Sequence, residues 1–250
     1  MQRRTASPAL HTARPSPAPH PARASLDAVE ADDFSAGEVL ADGLKAWLTQ
    51  LPSFAGIALI LHAPLLLVTV LPPLPGPLVV VAFLLGELAV ALLVKAALVK
   101  AVLDAQRGLP ADFMELVEAL RSAPAVLAVG VRILGRAAVR LLMVAPGLKY
   151  LAETFAAVPV AVMEGGSTGK ALARSQQLTQ GVRIQVFGVC LVVWTVAIVL
   201  TLLSGVHKPE SLSNTTWILV YLCTRALDTS LAAVLSAMTY HHLCERPEQT

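Results

Sequence analysis

The run LVVVAFLLGELAVALLVKAALVK, from Leu78 to Lys100, decides the fold class. Its apolar stretch is interrupted near the middle by a single carboxylate, Glu87, and it is long enough to cross a bilayer, which takes about 20 helical residues for roughly 30 Å of hydrocarbon. Five further apolar segments flank it, near Ser53 to Pro72, Ala123 to Ala145, Leu148 to Met163, Arg183 to Gly205 and Thr216 to Tyr240. The pattern predicts an all-α, polytopic transmembrane helix bundle of about six spans with amphipathic interfacial helices. The third and fourth segments of that count, Ala123 to Ala145 and Leu148 to Met163, are joined only by Pro146-Gly147, and the fourth is short. A re-entrant hairpin is therefore the alternative to two full crossings there.

Composition agrees. Hydrophobic residues make up 56% of the 250 and charged residues only 14%, with a mean hydropathy of +0.68, too much apolar surface for a soluble domain of this length to bury. The formal net charge is +2, from 19 Lys and Arg against 17 Asp and Glu, so no strong field favours a nucleic-acid partner. Cys190, Cys223 and Cys244 are far apart and form no Cys-x-x-Cys pair, which reads as apolar filler. His241, His242 and Cys244 lie close in sequence but lack a distant partner ligand, so no metal and no cofactor is expected.

Residues 1–32 carry Arg3, Arg4, Arg14 and Arg23 with no acid before Asp27, and Pro8, Pro15, Pro17, Pro19 and Pro21 break any helix there. They read as a disordered basic tail ahead of a membrane domain over 33–243, with 244–250 as a short C-terminal tail. The domain opens on Ser35-Ala36-Gly37-Glu38, a capping box, with Phe34 and Val39 placed to close a hydrophobic staple. Val39, Leu40, Leu44, Trp47, Leu48 and Leu51 then follow helical spacing, which predicts an interfacial helix with Trp47 at headgroup depth. A second amphipathic helix is expected over Gly166 to Gly181, capped by Ser167 and stopped by Gly181. Its Lys170 and Arg174 are the candidate lipid-headgroup contacts.

Loop charge sets the orientation. The turn Pro72 to Pro77 has none and belongs outside, whereas the stretches around Lys95 to Arg121 and Lys170 to Arg183 are basic and belong inside. Both termini are then cytoplasmic, and the expected location is the cell inner membrane.

Phe34-Ser35-Ala36-Gly37-Glu38-Val39-Leu40, Ala145-Pro146-Gly147, Pro159-Val160-Ala161-Val162-Met163-Glu164-Gly165, Ala171-Leu172-Ala173-Arg174-Ser175 and Leu178-Thr179-Gln180-Gly181 together resemble a bacterial family. It is the membrane domain found alone or ahead of glycerophosphodiester phosphodiesterases, with the related YciC-like proteins. The likeness spans about residues 34 to 240. Gln176 departs from it, since members often carry an aromatic residue after the Arg-Ser pair. The resemblance implies a fold and a membrane, not a reaction, because the phosphodiesterase barrel has no room in this chain.

Ionisable groups at bilayer depth are costly and are usually paired or functional. Glu87, Glu153, Arg225 and Asp228 fall inside predicted spans, and Arg132, Arg136 and Arg140 form one basic edge at i, i+4, i+8. These seven are the candidate buried network, four arginines against three carboxylates. It is either a polar cavity that holds an anionic headgroup or solute, or a set of ion pairs that locks the helices. No nucleophile with a base at one depth stands out, and His62 is the lone histidine within a span, so no catalytic residue is nominated. The leading expectation is a non-catalytic membrane protein whose partners are membrane lipids or another protein. A carrier of an anionic lipid or solute and a membrane-embedded enzyme are the alternatives.

Overall fold

The computed structural model describes residues 34–65, 76–106, 121–141, 144–204 and 214–246. The expected basic tail over 1–32 and the C-terminal residues 247–250 lie outside them, as do residues 33, 66–75, 107–120, 142–143 and 205–213. Among the described residues the chain is helical throughout, with no strand.

Helix α1, Ala36–Thr49, starts where the capping box places it, Ser35 Oγ accepting from Glu38 N at 3.4 Å. Phe34 and Val39 are both buried in one core. At Gln50 the chain turns by 80° into α2, Leu51–His62, which runs on through a 3-10 turn to Leu65. Pro52 causes the bend: it has no N–H to give the carbonyl four residues back, and its ring crowds that carbonyl. Helix α1 packs along the last helix of the chain, with Gly43 so close that an added Cβ would lie 2.6 Å from Leu235 Cδ2. Trp47 is half-buried and donates its Nε1–H to Ser230 Oγ of the last helix at 2.9 Å. Leu44 and Leu48 of the same predicted face stay exposed.

Helix α3, Gly76–Gln106, contains the apolar run from Leu78 to Lys100. It is followed by α4, Ala123–Leu141; α5, Val144–Glu153; α6, Ala157–Met163; α7, Thr168–Leu178; α8, Arg183–Leu203; and α9, Asn214–Cys244. Three of these helices, α3, α8 and α9, are long and apolar enough to cross a membrane, and the bent pair α1–α2 raises the number to at most four. The apolar helices mark a membrane protein, and among the described residues they supply three candidate spans, or four with the bent pair, where six were expected. Of the other predicted segments, the first, Ser53 to Pro72, counts only if the bent α1–α2 pair is one span, and its residues 66–72 lie outside the described residues; the third and fourth supply no candidate. Helix α4 has length enough at 19 residues, but Arg132, Arg136 and Arg140 are all exposed on it. A lipid-facing arginine at mid-bilayer costs about 2.5–3.5 kcal/mol on insertion scales, so three of them outweigh the helix's aliphatic content.

The fourth segment is broken. Helix α5 ends at Glu153, the next three residues form tight turns, and α6 starts at Ala157. Pro159 explains the break, because Phe155 O would accept from the missing N–H of residue 159. Two hydroxyls fill the carbonyls left open: Ser236 Oγ of α9 donates to Phe155 O at 3.0 Å, and Ser175 Oγ of α7 donates to Glu153 O at 2.8 Å. Where water is excluded, every orphaned carbonyl needs such a donor.

The core divides in two. One part gathers α1, α2, α8 and the C-terminal half of α9 around Val94 to Leu103 of α3. The other joins Leu92 and Ala96 of α3 to Val126 and Val129 of α4, to α6, and to Ala171 and Leu172 of α7. Away from these contacts lies a belt of exposed aliphatics: Leu78, Val81, Leu84 and Leu85 on α3, Ile198, Leu202 and Leu203 on α8, and Leu219 and Val220 on α9. Apolar surface of that extent marks a membrane-contacting face.

Candidate functional site

The polar centre of the molecule is built on α3 and α9. Glu87 is buried, and both its oxygens are taken: Tyr221 OH donates to Oε1 at 2.9 Å and Arg225 Nε donates to Oε2 at 3.1 Å. The same guanidinium turns its NH1 to Asp228 Oδ2, also at 3.1 Å. Arg225 and Asp228 are one helical turn apart and share a face, which is why one planar fork can serve two carboxylates on different helices. Tyr221 is held in place by Trp217, with ring centroids 5.8 Å apart at 24°, and by Phe83 at 6.0 Å.

Two more groups lie within electrostatic reach of Asp228: Lys95, two turns along α3 from Glu87, and His62 at the end of α2. Lys95 Nζ sits 5.7 Å over the Phe155 ring, a cation–π contact. His62 is fully buried; its Nδ1 bonds Ala58 O at 2.7 Å, while Nε2 has no hydrogen-bond partner among the described residues. The direct ion pairs join one guanidinium, Arg225, to two carboxylates, Glu87 and Asp228. The excess of positive charge expected from the sequence is absent here, because the arginines that supplied it stand elsewhere.

No known protein family, curated protein or solved structure matches this chain.

Of the seven predicted network residues, the fold brings together Glu87, Arg225 and Asp228. Glu153 belongs to a second centre, with Arg183 Nε 3.0 Å and Lys149 Nζ 3.9 Å from its Oε1. This centre ties the end of α5 to the start of α8. Arg132 and Arg136 meet no carboxylate among the described residues, and Arg140 makes a cation–π contact, its Cζ 4.3 Å from the centre of the Tyr150 ring. The spacing correctly put these three arginines on one edge, but spacing alone does not say whether that edge is covered.

Of the two candidate headgroup contacts, Lys170 is exposed. Arg174 is partly occupied: its Nε is 3.5 Å from Glu164 Oε1 and its NH1 donates to Gln177 Oε1 at 3.4 Å. Glu164 also accepts from Tyr240 OH at 3.2 Å, which anchors α7 to α9. Sequence reasoning missed Tyr221 and Lys95. Nothing in the pattern marks a tyrosine inside an aromatic run as a carboxylate ligand, and Lys95 read as the basic end of a span.

A groove of about 260 Å³ opens at the ends of α1, α2 and α3, lined by Asp42, Lys45, Thr49, Gln50 and Gln106. None of the Glu87 cluster lines it. Among the described residues no three His, Cys, Asp or Glu side chains converge as metal ligands would.

Proposed function

We propose that the chain is a non-catalytic integral membrane protein that organises lipid at the bacterial inner membrane, with phospholipids as its partners. The observation that carries this reading is the self-sufficiency of the Glu87 centre: Arg225 serves Glu87 and Asp228 together, and Glu87 spends both oxygens on donors from α9. Such a centre clamps α3 to α9 and leaves the exposed aliphatic belt and the basic surface as the parts that meet other molecules. The likeness to the membrane domain of glycerophosphodiester phosphodiesterases fits that reading.

Four crossings suit it better than six. The bent α1–α2 pair, α3, α8 and α9 cross, while α4 to α7 form a cap on the cytoplasmic side. Removing the third and fourth crossings as a pair leaves every other loop on the side its charge requires, and both termini stay cytoplasmic. The cap then faces the leaflet richer in anionic lipid.

The test is the lipid that stays with the purified full-length protein in mild detergent, measured by mass spectrometry against the lipid of the source membrane. A phospholipid class enriched over the bulk is expected. Bulk composition in the bound lipid, together with a discrete solute released on denaturation, would replace this reading with that of a carrier.

A further inference from the structure

Helix α4 has three surfaces. Val126, Val129 and Ala137 face the protein and are buried. Beside them runs the edge of Arg132, Arg136 and Arg140, each step of four residues advancing only about 40° around the helix. The outer back is apolar and open, with Val131, Leu134 and Val139 each more than half exposed. No Asp or Glu occurs anywhere in the helix.

Arg140 is steadied by stacking on Tyr150 of α5. Arg132 and Arg136 have neither carboxylate nor aromatic partner among the described residues, although both are long side chains carried by a well-packed helix. The backbone beneath them is fixed by close contact, since Gly130 leaves no room for a Cβ against Leu92 of α3. Thus a rigid element presents two unspent guanidiniums next to exposed aliphatic side chains.

We infer that α4 lies along the headgroup layer and that its arginine edge binds the phosphates of anionic phospholipids, while Val131, Leu134 and Val139 rest on the acyl chains. The three arginines span about 12 Å along the helix axis. A helix along the membrane plane brings all three to phosphate depth at once, whereas a helix along the normal would leave at least one in hydrocarbon. Guanidinium matches phosphate through paired N–H donors, and an apolar back beside a basic edge is the pattern of an interfacial helix. This inference rests on the proposed lipid-organising role and locates it: the main headgroup contacts are on α4, not on α7, where Arg174 is held by Glu164.

The experiment uses the full-length protein in nanodiscs or detergent, with phosphatidylglycerol and phosphatidylcholine of identical acyl chains as probes and native mass spectrometry to count retained lipids. Wild type should prefer phosphatidylglycerol by up to about thirtyfold, from two charges near an anionic surface at about 1 kcal/mol each. Arg132→Gln with Arg136→Gln should bring the ratio near one, and Arg132→Lys with Arg136→Lys should keep most of it. Both positions are exposed, so melting in phosphatidylcholine alone should not move; a shift there would mean that the arginines serve folding and would overturn the inference. So would equal retention of the two lipids by wild type, or a preference that survives the double glutamine change and disappears with Lys170→Gln. Displacement of the lipid by inorganic phosphate would assign the edge to a free anion instead. A dimer in wild type that the double glutamine change dissolves would assign it to a second copy of the chain. If wild type enriches a phospholipid class that the double glutamine change does not affect, the general lipid role stands and only the placement on α4 fails.

Discussion

Arg225 Nε stands 3.1 Å from Glu87 Oε2, so a single guanidinium on α9 neutralises a carboxylate on α3 while its NH1 holds Asp228 on its own helix. Each oxygen of Glu87 therefore has a donor from α9, Tyr221 completing the pair. The arrangement works as a clamp between two long helices. Removing one member strands the others in a region where water is scarce.

Arg225→Gln should accordingly cost about 3 kcal/mol, the low end for breaking a buried pair, because the arginine side chain keeps 24% of its surface exposed. Adding Glu87→Gln should recover part of that loss, whereas Arg132→Gln in neutral detergent should stay within about 0.5 kcal/mol of wild type. Thermal and denaturant unfolding of wild type, Arg225→Gln, Glu87→Gln and the double variant measures the coupling. Additive losses for Arg225 and Glu87 would mean that they do not act as one clamp. Unchanged stability with altered retention of a small molecule would point to a solute site.

The break between α5 and α6 gives a second test. Ser236→Ala leaves Phe155 O without a donor and should cost about 1–3 kcal/mol. Pro159→Ala returns the N–H that an unbroken helix would offer that carbonyl, so the double change should be less damaging than Ser236→Ala alone. Equal or greater damage in the double variant would show that the serine does not stand in for the missing amide.

Local signals were legible in the sequence, and tertiary ones were not. Ser35 and Ser167 cap the helices their positions announced, and Gly181 takes the positive φ of 87° that suits a chain leaving a helix. These features depend on residues within one turn of each other. Glu87, Arg225 and Asp228 were visible as buried charges, but the partner of each depends on which helices pack together. The arginine edge of α4 shows the limit most clearly: a period of four fixes a common edge, and whether that edge faces protein or the outside is decided by Leu92 and the helices opposite. Trp47 shows it too, since no local signal announces that its indole meets Ser230 of α9.

Two glycines on α4 separate packing from helix propensity. Gly130 lies against the Leu92 side chain with no space for a Cβ, so Gly130→Val should force α3 and α4 apart and cost about 1–3 kcal/mol. Gly135 is exposed with nothing near it, and Gly135→Ala should stabilise the helix by up to about 1 kcal/mol. Melting of the two variants in one detergent should move in opposite directions. A neutral Gly130→Val would mean that the contact yields, and α4 would then be free to shift relative to α3.

The number of crossings can be decided at one position. With reporter fusions after Ala105, after Gly169 and at Thr250 the four-span and six-span arrangements agree on a cytoplasmic reading, and at Gly76 and Ser211 they agree on a periplasmic one. They differ only between α4 and α5. Six spans put the junction around Pro146 outside, because α4 would have crossed; four spans keep it inside. Pro146 sits in the first turn of α5, where a missing N–H costs nothing, so the sequence there suits a tight reversal on either side of the membrane. The arginines decide the expectation: exporting α4 would carry Arg132, Arg136 and Arg140 past the hydrocarbon centre without a carboxylate on the same helix. A fusion truncated after Pro146 should therefore read cytoplasmic. A periplasmic signal there would restore the six-span bundle and would require a polar partner, protein or lipid, to cover the arginine edge within the membrane.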